Sequence, residues 1–409
     1  MMEDFFKVKS PAEVAELRHG ITRVESETVP LAEAWGRVLA EAVVPGEDLP
    51  PFARSTMDGF AVQAASTFGA SEGSPAYLEV LGSVAMGEVP DFTVGNGQAA
   101  RISTGGMLPR GADAVVMIEH TAAVDDTMIE VYRSVAPGGH VIRAGEDYAR
   151  DQVALPAGIR LRAQETGLLA ALGNEEVTVY RRPLVGIIST GDEVVPISRR
   201  PGPGQIRDVN SYSLAAMVRA CGGRPKTYGI VADNFDALSS TLTRAADECD
   251  MVLISGGSSV GVRDFTIEAL SSLPDCRILV HGISISPGKP TILAMAGGKA
   301  LWGLPGHITS AMVVFRVIVQ PFIEHAAGLA RPTAVRRLPA RLTRNLASAQ
   351  GRVDYVRVRL TEKNGELLAE PLLGKSGLIN TLVRADGLVE IDVNAEGLDR
   401  DSLVMVRPV

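Results

Sequence analysis

The chain is poor in cysteine and in aromatic residues, and it lacks a long uninterrupted apolar run, a cationic excess and several familiar motifs. Cys221, Cys249 and Cys276 are an odd set in 409 residues and show no C-x-x-C spacing, so neither a disulfide framework nor a cysteine zinc site is expected. A reducing, cytoplasmic compartment fits that usage. The start, Met1-Met-Glu-Asp-Phe-Phe-Lys7, has no basic segment followed by an apolar core, which argues against a signal peptide. Ala311 to Phe322 is the longest apolar stretch, but Arg316 and Gln320 interrupt it and it is too short to span a bilayer, so no membrane partner is expected. With 40 Lys and Arg against 48 Asp and Glu, the formal net charge is −8. No nucleic-acid partner is expected on that balance, and an anionic substrate must meet a local basic cluster or a bound cation. No G-x-x-x-x-G-K-[ST] occurs, because Gly288-Lys289 is followed by Pro290 and lacks the first glycine. Gly202-Pro-Gly204 does not continue as G-x-G-x-x-G, and H-E-x-x-H is missing, which leaves no standard P-loop, dinucleotide or zincin site.

What is present is an ordinary globular composition, 46% hydrophobic and 22% charged, in a length that suggests two or three domains at roughly one per 150 residues. Three junctions organise it. Asp250-Met-Val-Leu-Ile-Ser255 is a buried-strand run feeding Gly256-Gly257-Ser258-Ser259-Val260-Gly261, a loop able to turn backbone N–H groups and hydroxyls toward an oxyanion. Upstream, Pro183 to Ile188 ends in Ser189-Thr190-Gly191-Asp192-Glu193. Downstream, Ala300 to Leu304 leads into Pro305-Gly306-His307-Ile308-Thr309-Ser310 and a helical pattern through Ile323. Strands alternating with helices predict a parallel sheet, and ligands on such sheets bind beyond the carboxyl ends of the strands.

Taken in order, Ser10-Pro11-Ala12-Glu13 predicts a helix start with a capping box, and further helices are predicted over Leu31–Ala42 and Ala163–Leu172. Between Pro45 and about Arg160, short β runs such as Ala76–Leu81, Ala114–Ile118 and Met128–Tyr132 are punctuated by Gly and Pro, which predicts an inserted β-rich domain. Strands and helices alternate from Val177 to Gly328, with helical faces over Tyr212–Ala220, Phe235–Ala246 and Ser310–Ile323. After Arg331-Pro332 strands return: Val356, Val358 and Leu360 alternate with Arg357 and Arg359, and Asn364-Gly365 predicts a hairpin.

Most motifs admit two readings. Asp58-Gly59 reads as a plain turn, Ser103-Thr104-Gly105-Gly106 as a loop that could present hydroxyls and amides to an anion, and Arg143 to Asp147 as a solvated charged turn. Asp192-Glu193 is more telling. Two carboxylates about 4 Å apart repel by about 4 kcal/mol at an effective dielectric of ~20, a penalty that a hard dication would remove; an acidic helix start is the alternative. Asp233 and Asp264 carry the same two readings. Lys289, between Pro287-Gly288 and Pro290, is either a surface lysine or a fixed point charge for an oxyanion.

In sequence order, Arg54-Ser-Thr-Met-Asp58-Gly59-Phe-Ala, Ser103-Thr104-Gly105, Gly145-Glu-Asp147, Ser189-Thr-Gly-Asp-Glu193, Gly256-Gly257-x-Ser259-x-Gly261, Pro287-Gly288-Lys289-Pro290 and Gly303-Leu-Pro-Gly306 together resemble the MoeA family, the molybdopterin molybdenumtransferases related to the E domain of gephyrin. The resemblance implies an α/β plus β multidomain fold: a discontinuous N-terminal domain at 1–45 and 141–176, an inserted β-rich domain at 46–140, a MogA-like three-layer α/β domain at 177–328 and a C-terminal β-barrel at 329–409. It implies an elongated homodimer whose active cleft joins the α/β domain of one subunit to the inserted domain of the other, and a MogA-like adenylyltransferase as partner. The implied reaction is insertion of molybdate into adenylylated molybdopterin with Mg²⁺-dependent release of AMP. Asp58, Thr104, Asp147, Glu193 and Asp264 are the implied catalytic residues, with Mg²⁺ held by Asp58, Glu193 and Asp264. The implied substrate-binding set is Thr190, Gly191, Asp192, Asp233, Gly256, Gly257, Ser259, Gly261, Pro287, Lys289, Pro305, Gly306, Ser310 and Arg352. Three positions depart from the family pattern: Ser286 stands where a basic residue is frequent, His307-Ile308 where Asn-Pro is frequent, and Ser258 where valine is usual. These leave tungstate open beside molybdate, and a non-catalytic molybdopterin-binding scaffold or a nucleotide-pyrophosphate hydrolase as the competing functions.

Overall fold

The computed structural model describes residues 8–256 and 260–409, and side chains for all of these except 260–264. Gly257, Ser259 and the side chain of Asp264 therefore lie outside the described residues, while Gly261 falls in the helix Val260–Ser271. The chain divides into two compact units, the first made of residues up to Ala40, Gly158–Leu161 and Val177–Val409, the second of Glu41–Ala157 and Arg162–Glu176.

The first unit is built on a six-stranded sheet ordered Arg224–Val231, Leu184–Thr190, Met251–Ser255, Lys299–Leu304, Ile292–Ala296, Arg277–His281. Its first four strands are parallel, as expected, but the last two pairings are antiparallel. The reversal comes from Gly297-Gly298, whose φ angles of 54° and 75° suit a two-residue hairpin that no helix could replace. Strand residues alternate between two cores. Val185, Ile187, Leu253 and Trp302 face one, with the helix Asn210–Ala220 and the helical run from Ile308. Ile188, Val252, Ile254 and Leu301 face the other, with Phe235–Glu248 and Val260–Ser271. Burial on both faces is why these strands read as unbroken apolar runs, and each fully buried Leu or Ile contributes roughly 1.5–3 kcal/mol.

The run from Ile308 to Ala326 is helical throughout, with a π-helical turn at Phe315–Val319, and is longer than the sequence suggested. By length and composition alone it could cross a membrane, yet most of it is buried. Phe322 meets Trp302 edge to face at 4.9 Å between ring centroids, which makes this the central core helix.

The C-terminal region closes into a five-stranded barrel of Leu338–Leu342, Val353–Lys363, Glu366–Pro371, Gly387–Ile391 and Leu403–Pro408, sealed by pairing of Val353–Lys363 with Gly387–Ile391. Ile285–Ser286, from the α/β domain, pairs in parallel with Val353 and Asp354 and so ties the Pro287 loop to the barrel rim. The expected alternation along Val353–Lys363 holds: Val356, Val358 and Leu360 pack on the barrel core, and Arg357 lies on the other face. Arg357 is nonetheless buried there, 8% exposed, with its Nη2 donating to the Gly374 carbonyl.

Two further local expectations separate at the N-terminus. Ser10 does cap its helix: the Glu13 N–H donates to Ser10 Oγ at 3.2 Å, and the Ser10 N–H donates to Glu13 Oε2 at 2.8 Å. The helix predicted over Leu31–Ala42 is absent. Only a single 3₁₀ turn forms at Leu31–Glu33. Gly36, at φ 76°, then reverses the chain, so that the strand Val38–Leu39 can bury itself against Val179 and Tyr180.

The second unit carries the expected β-rich sheet, ordered Ala114–Met117, Gly59–Val62, Gln98–Ile102, Ala76–Val84, Met128–Val131, Thr121–Ala123. Phe60, Val62, Leu78, Val116, Ile129 and Val131 form one of its cores. The helix Ala163–Ala171 stops at Gly173, φ 76°, close to the predicted end.

Candidate active site

In the first unit the parallel strands end level with one another, Ser189 opposite Ser255 and Ser255 opposite Leu304, so their following loops open at one edge. Thr190, Gly191, Glu193, Asp233, Gly256 and Gly306 share the wall of a cavity of about 610 Å³ there. Gly256 is obligatory in that wall: at φ 129°, a Cβ on it would sit 2.3 Å from both the carbonyl and the hydroxyl oxygen of Thr190. The Thr190 hydroxyl is buried and has no hydrogen-bond partner among the described residues.

The acidic corner is held by a reciprocal pair of backbone contacts. The Asp192 N–H donates to Asp233 Oδ2 at 3.4 Å, and the Asp233 N–H donates to Asp192 Oδ1 at 3.1 Å. Asp233 Oδ1 is buried and has no partner among the described residues. Burial is the main cause that pushes the Asp233 carboxyl above its usual range; the nearby charges of Asp192 and Glu193 push the same way, against the hydrogen bond from Asp192. A carboxyl held above its unfolded value binds extra protons in the folded state, so this contribution to stability is present at low pH and is lost as pH rises through the Asp233 titration. Asp233→Asn keeps the acceptor for Asp192 and deletes the charge. It is expected to raise the thermal midpoint at about pH 7 and to change it little at about pH 3, which melting curves at the two pH values will check.

Two residues that the sequence did not single out complete this cavity. Asp208 Oδ1, buried, accepts from Ser189 Oγ at 3.2 Å and from the Ser211 N–H at 3.1 Å. Asn210 Nδ2 donates to Ser255 Oγ at 2.7 Å and to the Gly306 carbonyl at 2.8 Å, locking two strand-end loops to the start of a helix. Asp-Val-Asn ahead of an apolar-periodic stretch was the available signal, and it reads equally as an ordinary helix start.

A second cavity, of about 600 Å³, lies between the Pro287 loop and the barrel and is lined by Pro287, Lys289, Pro305, Ser310 and Arg352. Gly288 fits there only as glycine, since a Cβ would stand 2.3 Å from a Val314 methyl. Lys289 makes no ion pair among the described residues and is exposed. Arg352 is already engaged, with Nε 3.0 Å from Asp354 Oδ1 and Nη2 donating to Asp354 Oδ2 at 3.3 Å. Arg357 lines the same cavity; it donates from Nη2 to the Gly374 carbonyl at 3.0 Å, its Nε and Nη1 are buried with no partner among the described residues, and burial lowers its pKa.

In the second unit Asp58 and Thr104 are joined. The Thr104 N–H donates to Asp58 Oδ1 at 2.7 Å and its hydroxyl to the same oxygen at 3.0 Å, the N–H first and the hydroxyl second holding this exposed carboxyl below its usual range. Gly59 permits the turn, because a Cβ would lie 1.9 Å from the Val116 carbonyl. Asp147 is not part of that pair. The ribbon of Arg54–Ser55 with Val141–Ile142 is antiparallel, so the chains to Asp58 and to Asp147 leave its opposite ends. Asp147 lines a separate cavity of about 380 Å³ with Leu49 and Tyr148. Among the described residues no three His, Cys, Asp or Glu side chains form a ready-made metal cluster. The expected Mg²⁺ set is divided, with Glu193 in one unit, Asp58 in the other and the Asp264 side chain outside the described residues.

Comparison with known proteins assigns this architecture. Residues 186–325, the α/β sheet with its strand-end cavity, match the family model described as "Probable molybdopterin binding domain". Residues 9–173 match "MoeA N-terminal region (domain I and II)" and 339–409 match "MoeA C-terminal region (domain IV)". The fold is thus of the molybdopterin-binding α/β class, flanked by MoeA-type domains. The chain belongs to the MoeA family. It is 32% identical over 410 residues to the molybdopterin molybdenumtransferase of Bacillus subtilis strain 168, covering 99% of this chain and 95% of that protein. It is 39% identical over 310 residues to the molybdopterin molybdenumtransferase of a Nostoc species, covering 75% and 71%. A crystal structure of a molybdopterin biosynthesis MoeA protein from Pyrococcus horikoshii OT3 superposes with a TM-score of 0.84 at 32% identity, covering 98% of this chain and 100% of that one.

Proposed function

We propose that this chain is a molybdopterin molybdenumtransferase that inserts molybdate, with tungstate as the alternative anion, into adenylylated molybdopterin and releases AMP with the help of Mg²⁺. The observation that carries the proposal is the pairing, in one unit, of a lysine-walled cavity suited to an oxyanion with a carboxylate-walled, glycine-lined cavity suited to a cation and a phosphate. Lys289 and Ser310 bind the metal oxyanion, and Arg352 joins them by exchanging one of its contacts with Asp354. Thr190, Gly191 and Gly256 take the phosphate and pterin, as backbone-lined strand ends do in open α/β sheets. Oxygen donors on Glu193 fit Mg²⁺, which binds with one or two protein carboxylates and substrate phosphates. When bound, the ion neutralises charge developing on the pyrophosphate link. Asp58 and Thr104 act on the cavity of the second copy in a homodimer, Asp58 through the Oδ2 that Thr104 leaves free. Asp147 and Asp264 are assigned to the same reaction on family resemblance alone.

The test is purified full-length chain with adenylylated molybdopterin, Mg²⁺ and either molybdate or tungstate, following AMP release and formation of active cofactor. Lys289→Ala is expected to raise the oxyanion concentration for half-maximal rate by about tenfold, the effect of losing a contact of ~1.4 kcal/mol. An unaltered oxyanion dependence would remove Lys289 from the site. Pterin binding without AMP release by the wild type would instead leave a binding protein.

A further inference from the structure

The two cavities of the first unit meet at one side chain: among the described residues, His307 alone lines both. The cavities differ in charge. One has Lys289, Arg352 and Arg357 in its wall against a single carboxylate, Asp354; the other has Glu193, Asp208 and Asp233 against a single cation, Arg207. A dianion held in the first is repelled on entering the second, so the boundary between them is where a hydrogen-bond donor has most effect.

His307 has the geometry of such a donor. It precedes the helix Ile308–Val314 yet its side chain caps nothing there, and the ring is exposed at the boundary. Its Nδ1 lies 2.8 Å from Ser376 Oγ, and the Ser376 carbonyl accepts from the Thr309 N–H at 3.2 Å, so the barrel-side loop fixes the ring and is itself fixed to the helix. In the tautomer in which Ser376 donates to Nδ1, the ring proton is on Nε2, where it can donate to an oxyanion, and the proposal takes this tautomer. The ring is not crowded from the side of Gly377, since even a Cβ there would stand 4.0 Å from His307 Cδ2.

We propose that His307, steered by Ser376, is the transfer residue that escorts a tetrahedral metal oxyanion from the lysine-walled cavity into the carboxylate-walled one. This rests on the function proposed above, in which the anion and the pterin occupy neighbouring cavities. Equilibrium dialysis of the full chain with molybdate alone is expected to give affinities within about twofold for wild type and His307→Ala, because Lys289 and Arg352 remain. Insertion at saturating pterin is expected to fall about tenfold or more in kcat for His307→Ala, with the KM for molybdate little changed, and Ser376→Ala is expected to fall between. A third measurement does not need turnover. In protein labelled with ¹⁵N-histidine, the ring signal missing from His307→Asn is expected to shift when molybdate is added without pterin. Equal losses in affinity and kcat, no change in either, or a His307 signal blind to molybdate would each overturn the proposal. If the wild type released no AMP and inserted no metal, the proposed function would fall, and the NMR titration would still decide whether His307 meets the anion.

Discussion

Asn in place of Asp58 is expected to cut AMP release by about a hundredfold or more while the melting temperature stays within about 2 °C of wild type. Asn retains an oxygen to accept both hydrogen bonds from Thr104, so the loop geometry survives, but it cannot offer the negative charge that Oδ2 carries. Because Asp58 is exposed, its ionisation contributes little to folding, and activity and stability separate cleanly. The depressed pKa adds a sign that can be checked. A carboxylate held below its usual range keeps its charge as pH falls past that range, so the acid limb of the wild-type rate profile should not be set by Asp58. AMP release followed across pH and Mg²⁺ concentration is the measurement, and an unchanged rate in Asp58→Asn would take this residue out of the reaction. Glu193→Gln is expected to behave in the same way from the other unit.

Gly256→Ala is expected to have the largest structural effect at the site, lowering stability by about 3 kcal/mol and the thermal midpoint by roughly 6–12 °C. The new methyl would press at 2.3 Å on two oxygens of Thr190, a buried residue at the end of a central strand, in a backbone conformation that L-residues rarely adopt. Relief requires the loops after Leu184–Thr190 and Met251–Ser255 to part, which opens the cavity, so pterin binding should fail with it. Gly202→Ala is the control, since its Cβ would find only the flexible end of Gln205 at 3.5 Å; it is expected to stay within about 0.5 kcal/mol of wild type. Calorimetry on both variants distinguishes the outcomes, and equal midpoints would show that the strand ends yield more easily than their packing implies.

The parts of the fold that were legible in the sequence are those where one physical cause dominates. Met251–Ser255 and Lys299–Leu304 are buried on both faces, and nothing but an apolar run satisfies that environment. Ser10 and Glu13 form a cap entirely from local contacts. The stretch from Leu31 to Ala42 misled because its apolar spacing suits a helix, while Gly36 and a distant partner, Val179–Tyr180, decide for a strand. At Arg357 alternation correctly placed the side chain on the face away from the barrel core, but nothing local signals that the segment carrying Gly374 covers it there. At the site, glycines and carboxylates on strand-end loops were readable because the topology brings such loops together. Asp208 and Asn210 were not, since what distinguishes them from an ordinary helix start is contact with Ser189, Ser255 and Gly306, remote in the chain.

The order in which the first unit is threaded bears on how a ribosome must make it. The strand Ser26–Pro30 lies beside Glu176–Tyr180, and Lys9 bridges to Ile283, so these two segments have no strand partner until everything from Glu41 to Glu176 has emerged. The second unit, synthesised without interruption apart from the short return at Gly158–Leu161, can gather its own sheet while the N-terminal segment waits. Closing a loop of that length is slow rather than costly, because the entropy of closure grows only logarithmically while long-range pairing delays folding. Ser26–Pro30 therefore stays an unpaired strand throughout the synthesis of the second unit, the interval in which an exposed strand edge is most open to wrong pairing.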